Sequence, residues 1–305
     1  MTANKPDYHV PVMLQECIDA LEIKADGVYI DVTFGGGGHS QEIFKKLNAK
    51  GRLIVFDQDP DARKNAWEAP NFDFVAANFA YISNHLRLLG VEKVDGILAD
   101  LGVSSHQFDK EDRGFSIRGE ANLDMRMNQN GELTAKIVVN GYSEEELLRI
   151  FKAYGEVSNA WKLVNAIVNA RLNGKIKTTQ GLLDIITPCA PKFKEHKYFA
   201  QVFQAIRIEV NDEMGVLQGF LEATEEVLSP KGRLVVMSYH SLEDRMVKNY
   251  MKRGAISGKI EKDFFGNVLK PFDEIVRHPI VANEEELERN SRARSAKLRI
   301  AERNG

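Results

Sequence analysis

Val28-Tyr-Ile-Asp31-Val-Thr-Phe-Gly35-Gly-Gly-Gly38-His39-Ser40 joins a short apolar run ending on an acid to four glycines and a stretch of helical spacing. Ile43, Phe44 and Leu47 are the apolar positions of that predicted helix, His39–Leu47. A strand, a glycine turn and a helix in this order begin a βαβ unit. Outward from it, Arg52–Asp57 reads as a second buried strand, Asp61–Trp67 as a helix and Phe72–Ala76 as a weaker strand. Asn84–Leu89 has helical spacing, and Val94–Asp100 is a strand that again ends in an acid. This alternation predicts a parallel α/β sheet with right-handed crossovers.

The alternation then stops. Residues 106–130 are polar and read as a long ordered loop. Glu145–Tyr154, Asn159–Leu172, Gly181–Thr187 and Tyr198–Gly219 carry helical spacing, and Ser143 before Glu144–Glu146 is a helix start. Phe220–Leu228 is helical and Ser229-Pro-Lys-Gly232 is a turn. Arg233–Ser238 and Lys297–Ala301 read as strands, with an extended stretch in 272–282. The expected organisation is an α/β domain, 1–105 and 206–305, interrupted by a helical domain, 106–205.

Glycines let a backbone approach a ligand closely, and in a doubly wound sheet this turn lies at the edge where ligands bind. The plain alternative is a tight turn. Asp57, about 20 residues further on, favours the ligand reading, because a carboxylate there accepts both hydroxyls of a ribose. A dinucleotide fingerprint needs a third glycine where this chain has Ser40, and Asp31 would repel a pyrophosphate. An acid there suits a cofactor with a cationic amino group, such as S-adenosylmethionine. Phe79 could stack on adenine or simply pack in the core.

The chain has 305 residues, 43% hydrophobic and 28% charged, with a net charge of −3, which excludes a uniformly basic coat and an acidic tail. Two cysteines, Cys17 and Cys189, exclude a disulfide framework, and neither sits at a strand end as a nucleophile would. His9, His39, His106 and His240 lie apart, so no metal site is expected. Neither a membrane span nor a leader peptide is visible, so the expected location is cytoplasmic. Charge is uneven: residues 162–207 carry 8 Lys/Arg against 2 Asp/Glu, and 289–303 carry 6 against 1. Each stretch could be a solvated face; together they allow a surface that holds phosphates.

Nine ordered blocks carry a resemblance: His9-Val-Pro-Val-Met13, Asp31 to Ser40, Asp57-Gln-Asp-Pro60, Asp100-Leu-Gly-Val-Ser-Ser105, Arg113-Gly-Phe-Ser116, Leu123-Asp-Met-Arg-Met127, Phe203 to Asn211, Ser238-Tyr-His-Ser-Leu-Glu-Asp-Arg245 and Arg292 to Arg299. Across nearly its whole length the chain resembles the bacterial ribosomal RNA small subunit methyltransferase H family. The resemblance implies a class I methyltransferase fold with an antiparallel last strand and an inserted substrate-recognition domain. It implies transfer of a methyl group from S-adenosylmethionine to N4 of a cytosine in the decoding region of 16S rRNA, with the small ribosomal subunit as partner. Carried over by motif, Gly37, Gly38, His39, Asp57, Phe79, Asp100 and Gln107 form the cofactor site. The oligomeric state stays open, a homodimer included.

Many amino-methyltransferases carry a Pro-Pro-aromatic motif after the fourth strand; here the sequence reads Asp100-Leu-Gly-Val. Asp100 is the first candidate to accept the amine's hydrogen bond. The segment of Tyr239 and His240 is the second, with Tyr239 able to stack on the flipped base. The same segment also reads as a helix cap built by Ser241, Glu243 and Asp244. An NAD-dependent oxidoreductase, a small-molecule methyltransferase, a noncatalytic RNA-binding assembly factor and a methyltransferase for another RNA are the competing readings.

Overall fold

The computed structural model describes residues 11–104, 107 and 111–305. The chain divides into two compact units, Met1–Gly102 with Gly215–Gly305, and Val103–Met214.

The first unit is built on a seven-stranded sheet: β1 (Val28–Asp31), β2 (Arg52–Phe56), β3 (Phe72–Val75), β4 (Val94–Asp100), β5 (Leu228–Ser238), β6 (Phe272–Glu274) and β7 (Lys297–Arg303). Its order is β3-β2-β1-β4-β5-β7-β6. The first five strands run parallel, while β7 is antiparallel to both β5 and β6. This is the mostly parallel sheet that the alternation predicts, with the reversed last strand that the resemblance implies. The central strands are buried along nearly their whole length, as parallel strands covered on both faces must be. Because β1 to β5 point one way, Asp31, Asp57, Asn78, Asp100 and Tyr239 all follow or close strands along one edge.

Around the sheet lie α1 (Leu14–Ala20), α2 (Gly38–Lys46) and α3 (Ile82–Leu88). The helix expected at Asp61–Trp67 is only a single 3-10 turn, Ala62–Asn65. Trp67 stacks on Phe72, 4.1 Å between ring centroids, and Phe34 and Phe44 close around it. That cluster draws the chain into an extended path at Ala66. The Ser229–Gly232 turn is absorbed into β5, where Lys231 takes φ 64° and the register with β4 shifts. Of the stretch 272–282, only β6 and a bridge from Ile280 to Leu298 pair with β7.

The second unit contains α4 (Ala135–Gly141), α5 (Glu144–Ala153), α6 (Ala160–Leu172), α7 (Thr179–Ile186) and α8 (Glu195–Asn211). Leu147, Ile150, Phe151, Leu163, Ile167, Leu182, Val202 and Ile206 fill its core. Ser143 starts α5 by a reciprocal cap with Glu146, as the spacing predicts. α4 has no counterpart in the sequence reading. The single helix expected at Tyr198–Gly219 is two, because Asp212 takes φ 48° between α8 and α9 (Glu213–Val227). The second boundary falls at Met214, beyond 205, because α8 continues unbroken to Asn211. Asn211 accepts a hydrogen bond from Met127 N and donates to Met125 O, and buried Arg113 donates to Arg126 O and Met127 O. Those bonds order the described part of the 106–130 segment; His106 lies outside the described residues. Among the described residues no helix is long and apolar enough to cross a membrane.

Candidate active site

The glycine turn is held shut from inside. Asp31 is 1% exposed and both of its oxygens are engaged. Oδ1 accepts from Thr33 N at 3.0 Å and Thr33 Oγ1 at 3.3 Å, and Oδ2 accepts from Ser40 Oγ at 2.6 Å. Thr33 Oγ1 in turn accepts from Asp100 N at 2.7 Å. The first strand, the turn and β4 are therefore one network, and Asp31 fixes the loop instead of meeting a ligand directly. Its charge still acts on the edge through a low-dielectric interior.

Two glycines have separate reasons. Gly37 takes φ +76°, a conformation other residues rarely adopt. At Gly38 a Cβ would lie 2.2 Å from Cγ of Pro11, so this close approach serves the protein's own chain. His39 follows the same logic: its Nε2 lies 3.2 Å from Val12 O, tying the segment before α1 to α2. Its Nδ1 sits 3.9 Å from Asp100 Oδ2.

Asp57 stands just past β2. Its Oδ2 accepts from Gly35 N and its Oδ1 from Asp59 N, each at 2.8 Å. Burial raises its pKa to about 6, against the lowering by those two amides. Each oxygen keeps a lone pair for a further donor, which a neutral diol supplies without adding charge. Phe79 opens a 3-10 turn that Asn78 caps through Ala80 N. Its ring is half-buried and meets Phe220 edge to face at 5.3 Å. It thus packs on α9 while remaining partly open.

Asp100 closes β4. Tyr239 OH donates to its Oδ1 at 2.7 Å, across from β5. Burial raises its pKa to about 6, opposed by His39 and by the Tyr239 bond. The Tyr239 phenol is pushed up by burial and by the Asp100 charge, so it stays a donor. The Tyr239 hydroxyl therefore orients Asp100.

His240 is the N-cap of α10 (Ser241–Arg253): Glu243 N donates to its Nδ1 at 3.4 Å. Glu243, 3% exposed, accepts from Tyr239 N at 3.0 Å and His240 N at 3.4 Å. Its other oxygen lies 3.1 Å from His240 Nε2. His240 is thereby engaged as the cap of α10, and it is Glu243 that holds the Tyr239 backbone. The cap forms through His240 and Glu243; Asp244 instead receives Arg299 Nε at 2.7 Å and Lys297 Nζ at 3.2 Å.

Thr33, Ser40 and Glu243 are the functional supports that sequence reasoning left unassigned to the site. Only the i to i+3 spacing of His240 and Glu243 signals one of them. Gln107 belongs to the second unit, buried, where its Oε1 accepts from Ser104 N. Cys17 is fully buried and its thiol is pushed up by burial and the nearby Asp100, which suits packing, not nucleophilic attack.

A parallel sheet whose strand ends gather a closed glycine turn, a ribose-competent carboxylate and an oriented acid defines an S-adenosylmethionine-dependent methyltransferase. The chain matches the MraW methylase family over residues 7–304 and belongs to it. It is 55% identical over 297 residues to ribosomal RNA small subunit methyltransferase H of Parabacteroides distasonis, 97% of each chain. It is 54% identical over 303 residues to the protein of the same name from Bacteroides thetaiotaomicron, 99% of this chain and 100% of that one.

Proposed function

We propose that this chain methylates N4 of a cytidine in the decoding region of 16S rRNA in the small ribosomal subunit. The relatives' name supports ribosomal RNA as substrate. The observation that carries the chemistry is Asp100, an ionisable carboxylate whose one oxygen is fixed by Tyr239 and whose side chain is 25% exposed.

When bound, S-adenosylmethionine supplies an electrophilic methyl group. Asp57 would take its ribose, Phe79 its adenine, and Gly37, Gly38 and His39 the turn around it. Asp31 and Asp100 supply the negative field that favours its cationic groups. The exocyclic amine of cytosine is a weak nucleophile, because its lone pair is delocalised into the ring. Asp100 accepts an N4–H bond, which localises that lone pair and balances the charge that grows on nitrogen as the N–C bond forms. The same carboxylate is the nearest acceptor for the proton lost afterwards. Tyr239 and the His240–Glu243 cap hold it in place. The second unit contributes to substrate recognition.

The test is transfer from labelled S-adenosylmethionine to small subunits lacking the modification, read by nucleoside mass spectrometry. N4-methylcytidine is the expected product. Asp100→Ala is expected to lower the transfer rate by roughly 100-fold or more while cofactor binding persists. The wild-type rate should rise with pH through about 6, as Asp100 ionises, then level off. Tight cofactor binding with no methylated cytidine on subunits or free rRNA would reject the substrate.

A further inference from the structure

The second unit spends three of its eight cations of 162–207 on itself. Lys162 donates to Pro188 O, Arg171 to Val139 O and Tyr142 O, and Arg207 pairs with Glu213. Lys192, Lys194 and Lys197 are exposed and make no ion pair among the described residues.

These three lysines lie within four positions of Phe193, which is 96% exposed. Pro191-Lys-Phe-Lys194 is a four-residue turn closed by Lys194 N donating to Pro191 O at 3.1 Å. Phe193 stands at its third position with φ 64°, where glycine is the residue of choice. Glu195 Oε1 accepts from Phe193 N at 3.0 Å and holds the turn in that form. Lys194 is then the N-cap of the 17-residue α8 and offers no side-chain cap. Cations belong at the opposite end of a helix, because the free amides already make this end positive.

Within six residues the sequence makes three locally unfavourable choices: a bare aromatic, a left-handed phenylalanine and lysines at a helix N-terminus. One partner answers the first and the last: a polyanion carrying unpaired aromatic rings covers the ring and neutralises the lysines, and the turn presents that ring. We propose that Lys192–Lys197 is a docking site for single-stranded RNA, in which Phe193 stacks on an unpaired base. Lys192, Lys194 and Lys197 neutralise the flanking phosphates. The closed turn fixes the backbone that carries the ring, which lowers the ordering needed on binding. This inference rests on the reading of RNA as the substrate and names a surface of the second unit that grips the strand.

Fluorescence anisotropy with a labelled 12-nucleotide oligocytidylate and the full-length protein tests it. Phe193→Ala should weaken binding about tenfold with the salt dependence unchanged, and Phe193→Trp should restore it. Replacing the three lysines with alanine should reduce the slope of log affinity against log salt by about 2. A rigid RNA duplex should not distinguish Phe193→Ala from wild type. On small subunits Phe193→Ala should raise KM and leave kcat unchanged. Unchanged affinity of Phe193→Ala for the oligonucleotide would overturn the site, as would an equal loss on an oligoglutamate peptide. Wild type that binds the oligonucleotide yet methylates no cytidine would instead overturn the assigned reaction and leave the strand site standing.

Discussion

The two basic stretches look alike in sequence and differ in where their cations go. In 289–303 the three cations of β7 bond to neighbouring elements. Arg299 is 7% exposed and donates to Asp244, which also receives Lys297. Arg303 donates to the carbonyls of Glu225 and Pro271. β7 is an inner strand of the sheet, between β5 and β6, and its long side chains are drawn into bonds with neighbouring elements, while Arg289 and Arg294 of the same stretch stay exposed. In 162–207 the helices consume only the cations that can reach a carbonyl or Glu213, and Lys175, Lys177, Lys192, Lys194 and Lys197 stay exposed. An excess of positive charge thus reports a capacity for binding anions only after the protein's own acceptors have been counted.

Asp244→Ala should have the largest effect, on the cations of β7. Burial pushes this carboxyl up, but Arg299 and Lys297 outweigh it and hold it below the usual range. Removing it strands a buried guanidinium, at about 3–5 kcal/mol, so thermal unfolding should shift down by roughly 10 °C. Adding Arg299→Met to Asp244→Leu should recover most of that loss, since two apolar groups need no partner. If the double variant remained as unstable as Asp244→Ala, packing rather than charge would hold β7 to α10.

Asp100 sharpens the contrast, being a buried acid without a close cation bridge. Its pKa of about 6 lies above that of an unfolded aspartate, so the native state favours the protonated form. Stability from this group is greatest at acid pH and declines as pH rises from about 4 through 6. Asp100→Asn should therefore raise stability at pH 8 by about 1 kcal/mol, discounted for partial exposure, and by nothing near pH 4. Calorimetry at the two pH values checks this; a gain of equal size at both would assign the effect to hydrogen bonding instead. The smallest expected change is in the 162–207 stretch. Alanine at Lys192, Lys194 and Lys197 together should move stability by less than about 0.5 kcal/mol, as befits side chains without partners. A clear rise in melting temperature would show how strongly those lysines oppose the helix dipole.

Much of this protein was legible before any coordinates. Buried apolar strands of four to seven residues, helical spacing and acids at strand ends are local signals, so β1 to β4 and α5 to α7 could be read directly. The identities of Asp57 and Asp100 followed because a strand end in a parallel sheet is a place on the ligand-binding edge. What the sequence could not contain was partnership across distance. Asp31 looks like a ligand-facing acid until Ser40 and Thr33 fill its oxygens. Nothing in the sequence ties Tyr239 to Asp100, yet its hydroxyl reaches that carboxylate from 139 positions away. Nor does residue type alone show that His240 caps α10 through Glu243 N. The Trp67–Phe72 stack and the Asp212 break likewise depend on packing that spacing does not encode. Residue type and spacing settled which chemistry the chain can carry. Tertiary structure decided which of those groups stay free to act, because a hydrogen-bonding atom already satisfied inside the protein has little left for a ligand.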